Sequence, residues 1–384
     1  MTEIARFLEP PKGHFFLLGP RGTGKTSWTQ DRFPDALRVD LLDPVRLREM
    51  SARPERLKEL VAGSPRRTCI VIDEIQKCPA LLEVVHGLME TDRAKRFVLT
   101  GSSARKLRRE GVNLLGGRAV SRSLHPFMAA ELGKEFRMES ALRHGLLPVV
   151  WTSQEPEEQV RAYNALYLKE EVLAEGLVRQ VGGFARFLEA MSFSHAGVLN
   201  LANISRECQI RRSTVEGHLE VLEDLLLGWR LPIFRRRAKR ALAVHPKFYF
   251  FDTGIYRANR PTGPLEATGE SEGPALEGLV AQHLRAWCAY HHDAASLNYW
   301  QTRSGTEVDF VVYGPAGLKA IEVKNSVRVR PEDLRGLRAW AEDYPESERW
   351  LVYRGRDRIK QDGVHCVPVG EFLSALGPGN WPEP

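Results

Sequence analysis

The chain contains no apolar run approaching the roughly 20 residues that cross a bilayer. Its 43% hydrophobic and 27% charged content is that of a globular chain, not of a disordered or membrane-embedded one. Cysteine is scarce. The five, at 69, 78, 208, 288 and 366, are odd in number, scattered and without a C-x-x-C pair, which argues against a disulfide framework or a zinc ribbon and for reduced thiols. A secretory signal is also missing, since Met1-Thr-Glu-Ile-Ala-Arg-Phe-Leu-Glu-Pro10 carries acids and no uninterrupted apolar core. The expectation is a cytoplasmic chain with no membrane partner. Nor is there a strong charge of one sign: the net charge of +6 favours a polyanionic partner only if it is concentrated in one place. At 384 residues the chain is long enough for two or three domains, each with its own core.

What is present begins at Gly19. Gly19, Pro20, Arg21, Gly22, Thr23, Gly24, Lys25 and Thr26 fit G-x-x-x-x-G-K-[ST] without deviation, follow the apolar run Phe15 to Leu18, and lead through Ser27 into a helical stretch. Glycines let the backbone curl so that its N–H groups face phosphate oxygens, and the helix start adds its positive dipole end. Lys25 is then placed to bridge the β- and γ-phosphates of ATP, and Thr26 to take a position on Mg²⁺. About fifty residues on, Cys69-Ile-Val-Ile-Asp-Glu74 is an apolar run ending in two carboxylates, the form of a buried parallel strand delivering charge to its C-terminal edge. In this Walker B reading Asp73 holds the magnesium and Glu74 polarises the attacking water. A third strand, Arg96 to Thr100, runs into Gly101-Ser-Ser103, where Thr100 or Ser102 is a candidate γ-phosphate sensor and equally an ordinary turn residue. Arg118, beyond the last of these strands, is a candidate to reach nucleotide in its own or a neighbouring subunit.

Strands near 15–18, 37–41, 69–72 and 96–100 alternate with helical stretches near 25–32, 54–62 and 78–90, the α/β alternation of a parallel sheet. Residues 155–181 read as a helical lid or linker, which gives a P-loop domain over 1–185. Residues 186–256 have a different rhythm. A short helix, a turn, and an amphipathic helix with apolar positions at 215, 219, 222 and 226, capped by Ser213, form a helix-turn-helix pattern. A strand pair around Trp229–Phe234 and Lys247–Phe251 can supply a wing. Between Arg206 and Arg240 nine basic residues face five acids. DNA is the expected partner, through Arg211, Arg212, Arg235, Arg236, Arg237, Lys239 and Arg240. The alternative is a packing module with its arginines on a solvated face.

A Gly- and Pro-rich linker is expected over 257–274, and a last α/β domain over 275–384. There Glu277 lies on a helix, Asp309 on a strand in Glu307-Val-Asp-Phe, and Glu322 and Lys324 on one face of the strand Ile321-Glu-Val-Lys324. Glu277, Asp309 and Glu322 can hold a divalent metal and Lys324 can support attack by water; an ordinary ion-paired strand is the competing reading.

Taken together, Gly19–Thr26, Asp73-Glu74-Ile-Gln76, Thr100-Gly-Ser-Ser103, Gly117-Arg118, Leu124-His-Pro-Phe127, Lys247-Phe-Tyr-Phe-Phe-Asp-Thr-Gly254, Leu276-Glu277 and the Glu307-to-Lys324 acids resemble a widespread prokaryotic AAA+ type ATPase family over nearly the whole chain. In that family a P-loop domain is followed by a winged helix and a restriction-endonuclease-like domain of uncharacterised function. The resemblance implies an ATPase core and a PD-(D/E)xK-type fold, and it makes a homo-oligomer the expected assembly. Three functions remain open: a DNA-stimulated ATPase acting as motor or remodeller, an ATP-gated endonuclease, and a nucleotide-driven signalling switch.

Overall fold

The computed structural model describes residues 4–103, 114–167, 181–236, 240–261, 263, 268–291 and 295–383. Its chain divides into two compact units, one of residues 8–125 together with 224–226, the other of residues 1–7, 126–223 and 227–384.

The first unit is built on five strands: β1 (His14–Leu18), β2 (Leu37–Asp40), β3 (Cys69–Asp73), β4 (Arg96–Gly101) and β5 (Ala119–Ser123). They lie side by side in the order β2-β3-β4-β1-β5, every pairing parallel. Phe16, Ile70, Ile72, Phe97 and Leu99 are fully or almost fully buried, as continuous apolar runs require when helices cover both faces of a sheet. Helices Lys25–Arg32, Pro44–Ala52, Arg56–Ala62 and Leu81–Thr91 connect the strands. Parallel pairing brings the C-terminal ends of β1, β3 and β4 to one edge, so the loops after Leu18, Asp73 and Gly101 converge there.

The helix Pro44–Ala52 and strand β5 are not anticipated by the sequence pattern. The helix starts at Asp43, whose side chain accepts from the Val45 and Arg46 amides, with Pro44 in the first turn. Strand β5, Ala-Val-Ser-Arg-Ser, is a polar edge strand whose Val120 is exposed, so it carries no apolar run to read.

In the second unit, helices Val181–Phe193, Leu201–Cys208 and Arg212–Asp224 are interleaved with β6 (Gly197–Val198), β7 (Gly228–Leu231) and β8 (Lys247–Phe250), which form a small sheet in the order β6-β8-β7. Val215, His218, Leu219 and Leu222 form the buried face of the third helix. Ser213 does not cap that helix. It lies inside the first turn, and the Arg211 carbonyl accepts the first amide bonds, from Thr214 and Val215.

The C-terminal part is a six-stranded mixed sheet, β13-β14-β12-β11-β10-β9, formed by β9 (Ser296–Gln301), β10 (Glu307–Gly314), β11 (Gly317–Lys324), β12 (Glu348–Tyr353), β13 (Ile359–Gln361) and β14 (Val364–Pro368). Its helix starts at Thr268, earlier than the 275 expected, and runs to Tyr290 with Pro274 inside it. A register shift against β9 falls between Val308 and Val311 of β10, so Asp309 sits at a bulge, a feature that re-aims a side chain.

Strands β7 and β8 pair antiparallel, as the expected strand pair requires, and the described ends of their connection are hydrogen-bonded to the six-stranded sheet. Phe234 donates its amide to the Tyr299 carbonyl at 2.7 Å, Tyr299 donates to Pro232 at 3.0 Å, and Ala243 donates to Gln301 at 2.9 Å. Both ends of the connection are thereby laid along β9. No helix among the described residues is long and apolar enough to cross a membrane.

Candidate functional site

The loop after β1 curls because Gly22 and Gly24 hold φ of 81° and 87°, a region that a side chain strains. Gly19 is required for space: a Cβ there would stand 2.5 Å from the Leu124 carbonyl oxygen. Lys25 is buried and folds back to donate to the carbonyls of Gly19 at 2.7 Å and Pro20 at 3.2 Å. Thr23 closes the loop by donating to Pro20 at 2.8 Å, while Arg21, Thr26 and Ser27 are exposed at its mouth.

Opposite the loop, at the end of β3, the Thr26 hydroxyl donates to Asp73 Oδ2 at 2.7 Å. The Asp73 carboxylate also accepts from Thr100, whose hydroxyl in turn accepts the Glu74 amide at 3.1 Å. Thr100 is fully buried, and its hydroxyl joins Asp73 to the Glu74 backbone. Glu74 holds a left-handed backbone, φ 57°. Its Oε2 accepts from the Ser102 hydroxyl at 3.0 Å, the Ser102 amide at 3.3 Å and the Gln76 side-chain amide, while Oε1 stands 3.8 Å from Lys25 Nζ. Gln76 also donates to Ser102 Oγ at 2.9 Å, and its own Oε1 is buried without a hydrogen-bond partner among the described residues. Gln76 is the member of this cluster to which the sequence pattern assigns no role; the signal for it is its place two residues after Glu74.

Arg118 is at the wrong edge for its own chain's loop. Ala119 pairs with His14, the first residue of β1, so Arg118 lies a strand's length, at about 3.3 Å per residue, from the loop that follows Leu18. Its guanidinium is held by Glu90 at 2.9 Å and His86 at 2.6 Å.

The basic residues of the second unit are dispersed. Arg211 is exposed, and Arg212 is exposed and paired with Glu216 at 3.1 Å. Arg235 is exposed. Arg236 lies 4.7 Å over the Tyr313 ring, and Arg240 is bound to Glu342 and, at 3.0 Å, to Asp343. Arg237 and Lys239 lie outside the described residues.

The C-terminal carboxylates do come together, but around a residue not anticipated. Lys247 of β8, 2% exposed, places its Nζ 3.0 Å from Glu277, 3.1 Å from Asp309 and 3.8 Å from Glu307. Tyr249, on the same face of β8, donates to Glu277 at 2.6 Å. Asp309 accepts the Val323 amide at 2.9 Å, and Lys324 pairs with Glu322 at 2.6 Å. Burial opposes the charge on Lys247, yet the carboxylates, Glu277 first, hold its pKa well above the ordinary lysine value. Burial and the Asp309 charge push Glu277 up to about 7 and Glu322 well above the usual carboxylate range. Among the described residues no group of three or more His, Cys, Asp or Glu side chains is set to hold a metal. The expected metal centre of Glu277, Asp309 and Glu322 is therefore met instead by an ammonium among carboxylates.

Two residues beyond the end of β8, the same segment forms a joint. Asp252 accepts the Gly254 amide at 2.9 Å and the Leu146 amide at 2.8 Å, and burial raises it to about 6.

Family models match three stretches of the chain: an AAA domain over residues 12–133, a domain of unknown function (DUF8612) over 135–266, and a domain of unknown function (DUF4143) over 272–372. An uncharacterized protein of Haemophilus influenzae is 20% identical over 338 residues, which span 83% of this chain and 80% of that protein. The crystal structure of protein VC1899 from Vibrio cholerae aligns over 89% of each chain at 13% identity with a TM-score of 0.18, too low to bear on the fold. The AAA domain together with DUF4143 supports an AAA-type ATPase family for this chain.

Proposed function

We propose that the chain is a magnesium-dependent ATPase whose nucleotide site is the loop Gly19–Thr26 with Asp73 and Glu74. The observation that carries this is the convergence of Lys25, Thr26, Asp73 and Glu74 at one sheet edge, with Thr26 and Asp73 oxygens 2.7 Å apart. That pair fits magnesium, because both donors are hard oxygens and the neighbouring loop is shaped by glycines that tolerate no side chain at Gly19. Thr26 and Asp73 would hold the ion, which when bound neutralises phosphate charge. Lys25 would leave the Gly19 and Pro20 carbonyls for the β- and γ-phosphates, and Glu74, released from Ser102 and Gln76, would orient the attacking water.

The test separates binding from turnover. K25A is expected to lose ATP binding, whereas E74Q is expected to bind ATP and lower turnover by at least about a hundredfold. Near-normal turnover by either variant, measured as phosphate release, overturns the assignment.

The finer reading is that nucleotide state alters a grip on DNA, in a homo-oligomer. Its support is the helix–strand–helix–helix–strand–strand order of residues 181–250 and the exposure of Arg211, Arg212 and Arg235. Turnover measured with and without single-stranded, duplex and junction DNA tests it; equal rates in all four conditions reject it. Arg118 bears on this only through a neighbouring copy, since it is remote from its own loop.

A further inference from the structure

Continuing the antiparallel register of β10 and β11, in which Phe310 faces Ile321, sets Asp309 directly opposite Glu322. Like charges so opposed repel, and both residues are buried, 4% and 5% exposed. Glu277 adds a third carboxylate from the helix Thr268–Tyr290. A buried group of this kind needs compensating charge, and a divalent ion held at about 2.0–2.6 Å by several oxygens is one way to supply it.

The chain supplies it differently. Lys324 neutralises Glu322 from the same strand. Glu277 and Asp309 are served by Lys247, which comes from β8 in the three-stranded sheet, 30 and 62 residues away in sequence. Lysine is almost never fully buried unless paired, and this one is paired with two carboxylates at hydrogen-bonding distance and approached by a third. Tyr249 completes the Glu277 shell from the same strand.

We propose that Lys247 is a resident cation: its ammonium takes the place between Glu277 and Asp309 that a divalent metal would need, so the carboxylate cluster clamps the three-stranded sheet to the six-stranded sheet and does not act as a metal-dependent nuclease centre. The N–O separations of 3.0 and 3.1 Å are those of ammonium hydrogen bonds. The inference is independent of the ATP reading, because none of these residues belongs to the unit that carries the Gly19–Thr26 loop.

The test uses the full chain, free of nucleotide, titrated with Mn²⁺ in a calorimeter. The wild-type chain is expected to show no Mn²⁺ binding that depends on Asp309. K247A is expected to gain a site at least tenfold tighter than any in the wild type, and K247A/D309N to lose it again. Asp309-dependent Mn²⁺ binding by the wild-type chain overturns the proposal, as does a folded K247A that binds no more tightly than wild type. A second comparison covers the case in which K247A does not fold. Deleting the cation alone leaves buried carboxylates uncompensated, whereas deleting both partners removes the imbalance. K247M/E277Q should therefore recover at least half of the melting temperature lost by K247M; no recovery sinks the clamp. Linear and supercoiled DNA incubated with Mn²⁺ should remain uncut by the wild-type chain and equally by D309N.

Discussion

At the scale of single residues the nucleotide loop is limited by space as much as by charge. A Cβ at Gly19 would meet a backbone oxygen at 2.5 Å, and backbone cannot swing aside as a flexible side-chain end can. Gly19→Ala is therefore expected to destabilise the chain by about 1–3 kcal/mol and to weaken ATP binding, read by thermal melting and by nucleotide titration; a fully stable variant with normal affinity would show that the loop opens freely. Two histidines have an equally local logic. His195 Nδ1 accepts the Phe250 amide at 3.1 Å, and His283 Nε2 accepts the Ala129 amide at 2.9 Å while Nδ1 lies 2.7 Å from the Leu279 carbonyl. Protonating either acceptor nitrogen would set a proton against an N–H, in a buried site. Burial lowers His195 to about 3 and His283 to about 4 from the usual 6.5. With folded pKa values below unfolded ones, each contributes stability that is fully present above pH 6.5 and is lost as pH falls towards 4 and then 3. Asp252, raised from 3.8 to about 6, has the opposite sign: its penalty in the folded state grows as pH rises through that window. In an NMR titration between pH 8 and about 5.5 the two ring signals, assigned with H195Q and H283Q, should not move; a midpoint near 6.5 for either would remove the argument.

At the scale of elements, the connection between β7 and β8 separates anchoring arginines from available ones. Arg240 is tied to Glu342 and Asp343, and Arg236 lies over Tyr313, whereas Arg211 and Arg235 face solvent. Neutralising Arg235, Arg236 and Arg237 together should lower DNA affinity and reduce the salt slope by about 0.9 for each phosphate that is no longer neutralised. R240A, by contrast, should lower the melting temperature and leave the slope unchanged. If the triple variant binds DNA with wild-type affinity and slope, the connection serves packing alone. The same elements show what could be read in advance. Strands β1, β3 and β4 are apolar runs that need only burial on both faces, and the helix Lys25–Arg32 occupies the stretch expected near 25–32. Strand β5 is polar because it lies at an edge, and nothing local marks it. Lys247 is illegible for a different reason: a lysine opening the strand Lys-Phe-Tyr-Phe reads as an exposed end, and only the pairing of distant segments buries it. Thr100 is a related case, a polar residue at a strand end whose bond to Asp73 no local pattern announces.

At the scale of the whole molecule, chemistry and cohesion fall to different parts. The first unit gathers Lys25, Thr26, Asp73 and Glu74 around a loop whose polar groups are borrowed from one another, by Lys25 from carbonyls and by Glu74 from Ser102 and Gln76, and these are bonds that a ligand can exchange. The second unit spends its unusual polar residues inward, with Lys247 among carboxylates and Asp252 on the Leu146 and Gly254 amides. One further consequence follows from the way residues 232–234 and 241–243 lie along β9 and its C-terminal end. A sheet ends in a row of unpaired amides and carbonyls, which is an invitation to another chain's strand. Here that flank of the six-stranded sheet is taken up by the chain's own backbone, and the opposite flank is the three-residue β13, carrying Lys360. Among the described residues neither border offers a long bare template for strand addition, which guards against aggregation through this sheet. Copies of this chain that met at this sheet would do so through side-chain surfaces, where charge and shape can choose the partner.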